Sequence, residues 1–89
     1  MDSVITFVEF QNRIIEATYR KLMIGATVVL VDSASGLELA EPVTRITSRL
    51  PMGSIRIRLP DSFKAGTYFL RALNGHGEHV AQSVVFSIA

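Results

Sequence analysis

At 89 residues, with 48% apolar side chains, the chain has room for one domain and one modest core, and no apolar run approaches the ~20 residues that a membrane-spanning helix requires. The absence of cysteine excludes an inter-sheet disulfide and a thiolate-held zinc or iron–sulfur site. Nine Lys and Arg against eight Asp and Glu leave a net charge of +1, so the chain lacks the overall field of a dedicated nucleic-acid binder and any electrostatic function must be local.

Met1-Asp2-Ser3 carries none of the marks of a secretory leader, which reads as a cytoplasmic chain or as a segment of a larger exported protein, extracellular or periplasmic. The next stretch admits two readings. Glu9, Asn12, Arg13, Glu16 and Arg20 fall on one side of a helical wheel, and Phe7, Phe10, Ile14, Ile15, Thr18 and Leu22 on the other, with Gly25 as a cap. Alternatively, Ser3 to Phe10 is β-branched and aromatic, Gln11-Asn12-Arg13 can turn, and Ile15, Ala17 and Tyr19 alternate with Glu16, Thr18 and Arg20. Two strands are the preferred reading, because a two-layer β fold needs them to complete its second sheet.

From Gly25 onward short strands alternate with turn chemistry. Ala26 to Asp32 is apolar and β-branched, Asp32 to Gly36 is a turn, and Leu37 to Ala40 is a short return strand that Pro42 breaks. Val43 to Leu50 reads as a weak edge strand, turned by Pro51-Met52-Gly53 into Ser54 to Leu59. There the alternation is strict, sending Ile55, Ile57 and Leu59 inward and Arg56 and Arg58 outward. Pro60, Asp61 and Ser62 end that strand, and Gly66 precedes the next, Tyr68 to Leu73. Asn74-Gly75 is a strong hairpin signal, and Val80 to Ile88 closes the chain with Val84, Phe86 and Ile88 in alternation.

The expected fold is all-β: residues 1–89 as a single immunoglobulin-like Greek-key β-sandwich of about seven antiparallel strands. Its expected core is Phe10, Ile15, Val29, Leu30, Ile55, Ile57, Leu59, Tyr68, Leu70, Val84, Phe86 and Ile88. Tyr68 stands where such sandwiches place a tyrosine whose hydroxyl reaches back to upstream backbone, although a core aromatic with a wet tip would look the same.

Ile14 to Tyr19, Ile24 to Val28, Ile55 to Pro60, Ala65-Gly66-Thr67-Tyr68, Asn74 to Gly77 and Val84 to Ile88 together resemble immunoglobulin-like domains of the IPT/TIG type. That resemblance implies a bacterial spacer, adhesion, carbohydrate-associated or dimerising module with no catalytic residues to carry over. Ala65-Gly66-Thr67-Tyr68 followed by Gly75-His76 is also similar to periplasmic copper-resistance proteins of the CopC type. His76 and His79, with Glu78 between them, are the only metal candidates. A closed site normally takes about four ligands, so no resident metal or other cofactor is expected.

If the strand ending at Leu50 pairs with the one starting at Ser54, then Arg45, Arg49, Arg56 and Arg58 share one exposed face, which Arg71 joins. Such a cluster suits an acidic polysaccharide, a nucleic-acid backbone or a partner's carboxylates; the lack of interleaved aromatics argues against single-stranded nucleic acid. Phe69 and Val85 are outward by alternation and are candidates for a face that packs on a second copy or another protein. The chain has no Gly-x-Ser-x-Gly elbow and no helix-borne metal motif, so an enzyme is not expected. The expected function is a non-catalytic structural or interaction module, with glycan or polyanion binding through the arginines and CopC-like copper binding as alternatives.

Overall fold

The computed structural model describes residues 4–61 and 63–88. They form eight strands and no helix: β1 (Val4–Gln11), β2 (Ile14–Arg20), β3 (Thr27–Asp32), β4 (Glu38–Arg45), β5 (Met52–Arg58), β6 (Gly66–Leu73), β7 (His79–Gln82) and β8 (Phe86–Ile88). The readings of Met1–Ser3 as a leaderless start and of Ser62 as a turn residue fall outside the described residues.

The N-terminal stretch is a hairpin rather than an amphipathic helix. Asn12 and Arg13 occupy its two-residue turn with φ of 53° and 61°, the left-handed pair that matches the twist of flanking strands. Along β2, Ile15, Ala17 and Tyr19 are buried while Glu16, Thr18 and Arg20 are exposed, so period 2 prevails over the helical wheel. Leu59 N–H donates to Arg13 O at 2.8 Å, and Arg13 Nη2 donates to Pro60 O at 2.5 Å, fastening the turn to the end of β5.

All pairings are antiparallel. One sheet runs β1-β2-β5 and the other β4-β3-β6-β7, with β8 also on β6. The core lies between them: Ile15, Ala17, Tyr19, Ile55 and Ile57 from one side meet Val28, Leu30, Tyr68, Leu70 and Ala72 from the other. Each large aliphatic side chain so buried stabilises the fold by about 1.5–3 kcal/mol. Tyr19 lies over its cross-strand partner Gly53, where an added Cβ would stand 2.8 Å from the Tyr19 hydroxyl oxygen and 3.0 Å from Cζ. Tyr68 donates from its hydroxyl to Lys64 O at 2.9 Å, and its ring stands 5.3 Å from that of Phe63. The upstream anchor expected of this tyrosine is therefore present.

Several sequence expectations are corrected. Pro42 does not break the return strand: β4 continues through it to Arg45, at a sheet edge where a missing donor is tolerated, and a register shift opposite Val29 to Val31 absorbs the extra residues. Val43 to Leu50 does not pair with the Ser54 strand, because the chain leaves one sheet after Arg45 and enters the other at Met52. The last strand is divided into β7 and β8, which makes eight strands rather than about seven. Across the gap Ser83 N–H donates to Leu70 O, and Ser83 Oγ accepts from Leu70 N–H, both at 2.8 Å. A side-chain oxygen thus replaces a backbone carbonyl in the ladder, and the chain beyond it changes face. Val84, expected in the core, is consequently 71% exposed. Val29 is buried, but outside the inter-sheet core, and Phe10 and Phe86 pack only partly against that core.

Candidate functional site

The registers place several loops at one end of the molecule. Val4, Arg20 and Met52 are aligned in one sheet, and Arg45, Thr27, Leu73 and His79 in the other; the connections Lys21–Ala26 and Ile46–Pro51 join these aligned ends. At this end Met23 is 75% and Leu50 65% exposed, with Ile24 and Met52 also more than half exposed. Arg20, Lys21, Arg45 and Arg49 belong to the same end. Exposed apolar residues are ordinary singly; here four large ones gather at one end of the domain.

These loops are held in place by backbone bonds. Ala26 N–H donates to Met23 O at 3.0 Å, closing a turn whose third residue, Gly25, has φ of 92°. That geometry demands glycine or asparagine there, and it thrusts Ile24 outward. Gly25 N–H donates to Ile46 O (2.8 Å), Ile46 N–H to Ala26 O (2.7 Å) and Lys21 N–H to Pro51 O (2.5 Å), so the two connections form one unit. Between them runs an open groove of about 710 Å³ lined by Lys21, Leu22, Met23, Ile24, Arg49 and Pro51. Of its six lining residues, Leu22, Met23, Ile24 and Pro51 are apolar, Leu22 being buried, and Lys21 and Arg49 are cationic.

The expected four-arginine face does not form. Arg56 and Arg58 lie on the outer face of β5 in one sheet, Arg45 ends β4 in the other, and Arg49 sits in the connection between them. Arg56 is opposite Glu16, with Nε 4.0 Å from Oε1. The reason is topological: strand alternation fixed which way each arginine points but not which sheet receives the strand.

Arg71 has a different task. Its Nη1 donates to Glu38 Oε2 at 2.9 Å, its guanidinium stands 5.3 Å from the centre of the Phe69 ring, and its side chain is only 17% exposed. In register it is opposite Val29, and Phe69 is opposite Val31, a residue that is fully buried yet outside the inter-sheet core. Arg71 and Phe69 therefore shield a small apolar layer on the outer face of the second sheet, the arginine through its methylene stem. Phe69 is half-buried in this cluster, while Val85 is exposed in the break between β7 and β8; the two are not one face. Replacing Arg71 with alanine is expected to cost about 1 kcal/mol, from the lost ring contact and ion pair, in a denaturant-midpoint measurement. An unchanged midpoint would remove the shielding role.

His79 Nε2 approaches the same Glu38 Oε2 at 3.2 Å, whereas His76 sits in the β6–β7 turn with its backbone N–H donating to Asn74 Oδ1 at 2.9 Å. Among the described residues no group of three or more His, Asp or Glu side chains is placed to hold a metal ion, and no helix is long and apolar enough to cross a membrane.

Sequence alternation assigned no role to Met23, Ile24, Leu50 and Met52. A signal was present in Leu50-Pro51-Met52-Gly53, where a tight turn carries two large apolar residues that it cannot bury together. Neither the family models, nor the curated proteins, nor the solved structures compared with the chain match it.

Proposed function

We propose that the chain is a non-catalytic interaction module of immunoglobulin-like type that docks, through its loop end, onto a protein surface with an apolar centre and an acidic rim. The observation that carries this reading is the convergence of Met23, Ile24, Leu50, Lys21 and Arg49, on hydrogen-bonded loops, with Arg20 and Arg45 at the strand ends that those loops join. A surface already held in its contact geometry loses less ordering entropy on binding. The immunoglobulin-like, IPT/TIG-type reading is supported by the sheet β1-β2-β5, which matches the order A-B-E of such sandwiches, by β3-β6-β7, which matches C-F-G with β4 added beside β3, and by the Tyr68 anchor.

An anionic naphthalene sulfonate dye combines the two chemistries required of a ligand. The native protein is expected to enhance its fluorescence. Met23→Ser/Ile24→Ser and, separately, Arg49→Ser are expected to weaken the effect several-fold while leaving the thermal midpoint unchanged, since these are exposed positions. No enhancement by the native protein, or full enhancement by the Met23/Ile24 variant, would sink the reading.

A second reading, binding of an acidic polysaccharide, is supported by the same four cations. It requires salt-sensitive retention on heparin that Arg45→Ser/Arg49→Ser abolishes and Met23→Ser/Ile24→Ser leaves intact.

A further inference from the structure

Sheet edges are places where another chain can add a strand, and proteins commonly spoil them with bulges, prolines or interruptions. Three of the edges here are spoiled in this way. β1 is bulged between Ile5 and Phe7, β4 carries Pro42 and a register shift, and β7 and β8 are separated by Ser83–Val85. β5 differs. It pairs with β2 without a shift from Met52 to Arg58 and contains no proline.

The hydrogen-bond parity of β5 is fixed at both ends. Lys21 N–H donates to Pro51 O and Leu59 N–H to Arg13 O, so odd-numbered residues of β5 bond to β2. Antiparallel pairing alternates, which turns the N–H and C=O groups of Met52, Ser54, Arg56 and Arg58 away from β2. Among the described residues no strand pairs with them on that side. β4, the edge strand of the facing sheet, approaches β5 but forms no ladder with it, so these groups are left unused by β4 as well.

The geometry points to β5 as a docking edge for an extended acidic segment of a partner protein, added as a fourth strand with its carboxylates opposite Arg56 and Arg58. Charge selects this occupant. Both arginines are exposed on the outer face, and only Arg56 faces a carboxylate across the strand; Arg58 faces Ile14. Opposite charges across a strand pair stabilise it, whereas like charges weaken it. A second copy of the chain paired through β5 would gather four guanidiniums on one face, while a strand alternating acidic and apolar residues neutralises two. Because odd residues of β5 face inward, the apolar residues of such a strand would lie toward the flank of the core near Ile55 and Ile57.

The test uses a blocked eight-residue peptide alternating Glu with Val, and follows backbone amides of the full chain by NMR and hydrogen exchange. Peptide is expected to slow exchange at Ser54, Arg56 and Arg58 about tenfold, without effect on the already bonded Ile55 and Ile57. Arg56→Gln/Arg58→Gln should weaken binding about fivefold. Ser54→Pro removes an outward donor that the β2 ladder does not use, and should abolish binding while Ile55 stays protected. Equal binding by a peptide of the same length and charge in which a central valine is replaced by proline would show loose charge attraction and overturn the proposal. So would the absence of any amide response, or protection that grows with protein concentration alone as the mass doubles, which would assign the edge to a second copy. Met23→Ser/Ile24→Ser is expected to leave peptide binding unchanged, so this test and that of the loop end fail independently.

Discussion

Replacing Tyr68 with alanine is expected to lower stability by about 3–5 kcal/mol, and replacing it with phenylalanine by about 1–2 kcal/mol. The two figures separate two contributions. The ring lies in the core between Gly66 and Phe63, so its removal leaves a cavity that the surrounding strands cannot close. Phenylalanine keeps the ring but leaves the Lys64 carbonyl without the donor that now lies 2.9 Å away. A domain of this length has about 4–13 kcal/mol of stability, and the alanine variant would lose a large share of it. Chemical denaturation read by circular dichroism measures both. A phenylalanine variant as stable as the parent would mean that the hydroxyl does not anchor the segment before β6.

Ser83→Ala is expected to cost about 1–3 kcal/mol, although it removes a single oxygen. Leu70 is fully buried, and its N–H is served by the Ser83 hydroxyl because the ladder is interrupted there. Without that oxygen a buried donor has no acceptor, and the penalty is its desolvation rather than the loss of one average hydrogen bond. Ser83→Thr, which retains a hydroxyl, should preserve most of the stability. The decisive readout is exchange of the Leu70 amide, expected to speed up in the alanine variant far more than that of Leu30. If both amides respond equally, the effect is global and the proposed local role of the hydroxyl fails.

Face assignments within a strand were legible from the residues. Ile55, Ile57 and Leu59 are buried and Arg56 and Arg58 exposed, as their alternation requires, and Tyr68, Leu70 and Ala72 follow the same rule. Partner assignments were not. Whether the stretch beginning at Val43 joins β5 or β3 depends on contacts remote in sequence, and local alternation is identical in both cases, so alternation alone gathers arginines that the fold disperses. Val84 was misplaced because one serine lets the chain slip past β6 and reverse its face, an event that no periodicity announces. The loop end eluded the sequence for a related reason. Met23 and Leu50 are 27 residues apart, and only hydrogen bonds between their connections make neighbours of them.

The stacking of Tyr19 on Gly53 bears on how this chain can evolve. With the ring almost wholly buried, any side chain at position 53 collides with it, so that position is closed to drift while the tyrosine remains. A smaller residue at 19 would open it. The permitted order of change is therefore one-way, and a saturation library is expected to return residues other than glycine at 53 only in clones that have already lost the aromatic at 19.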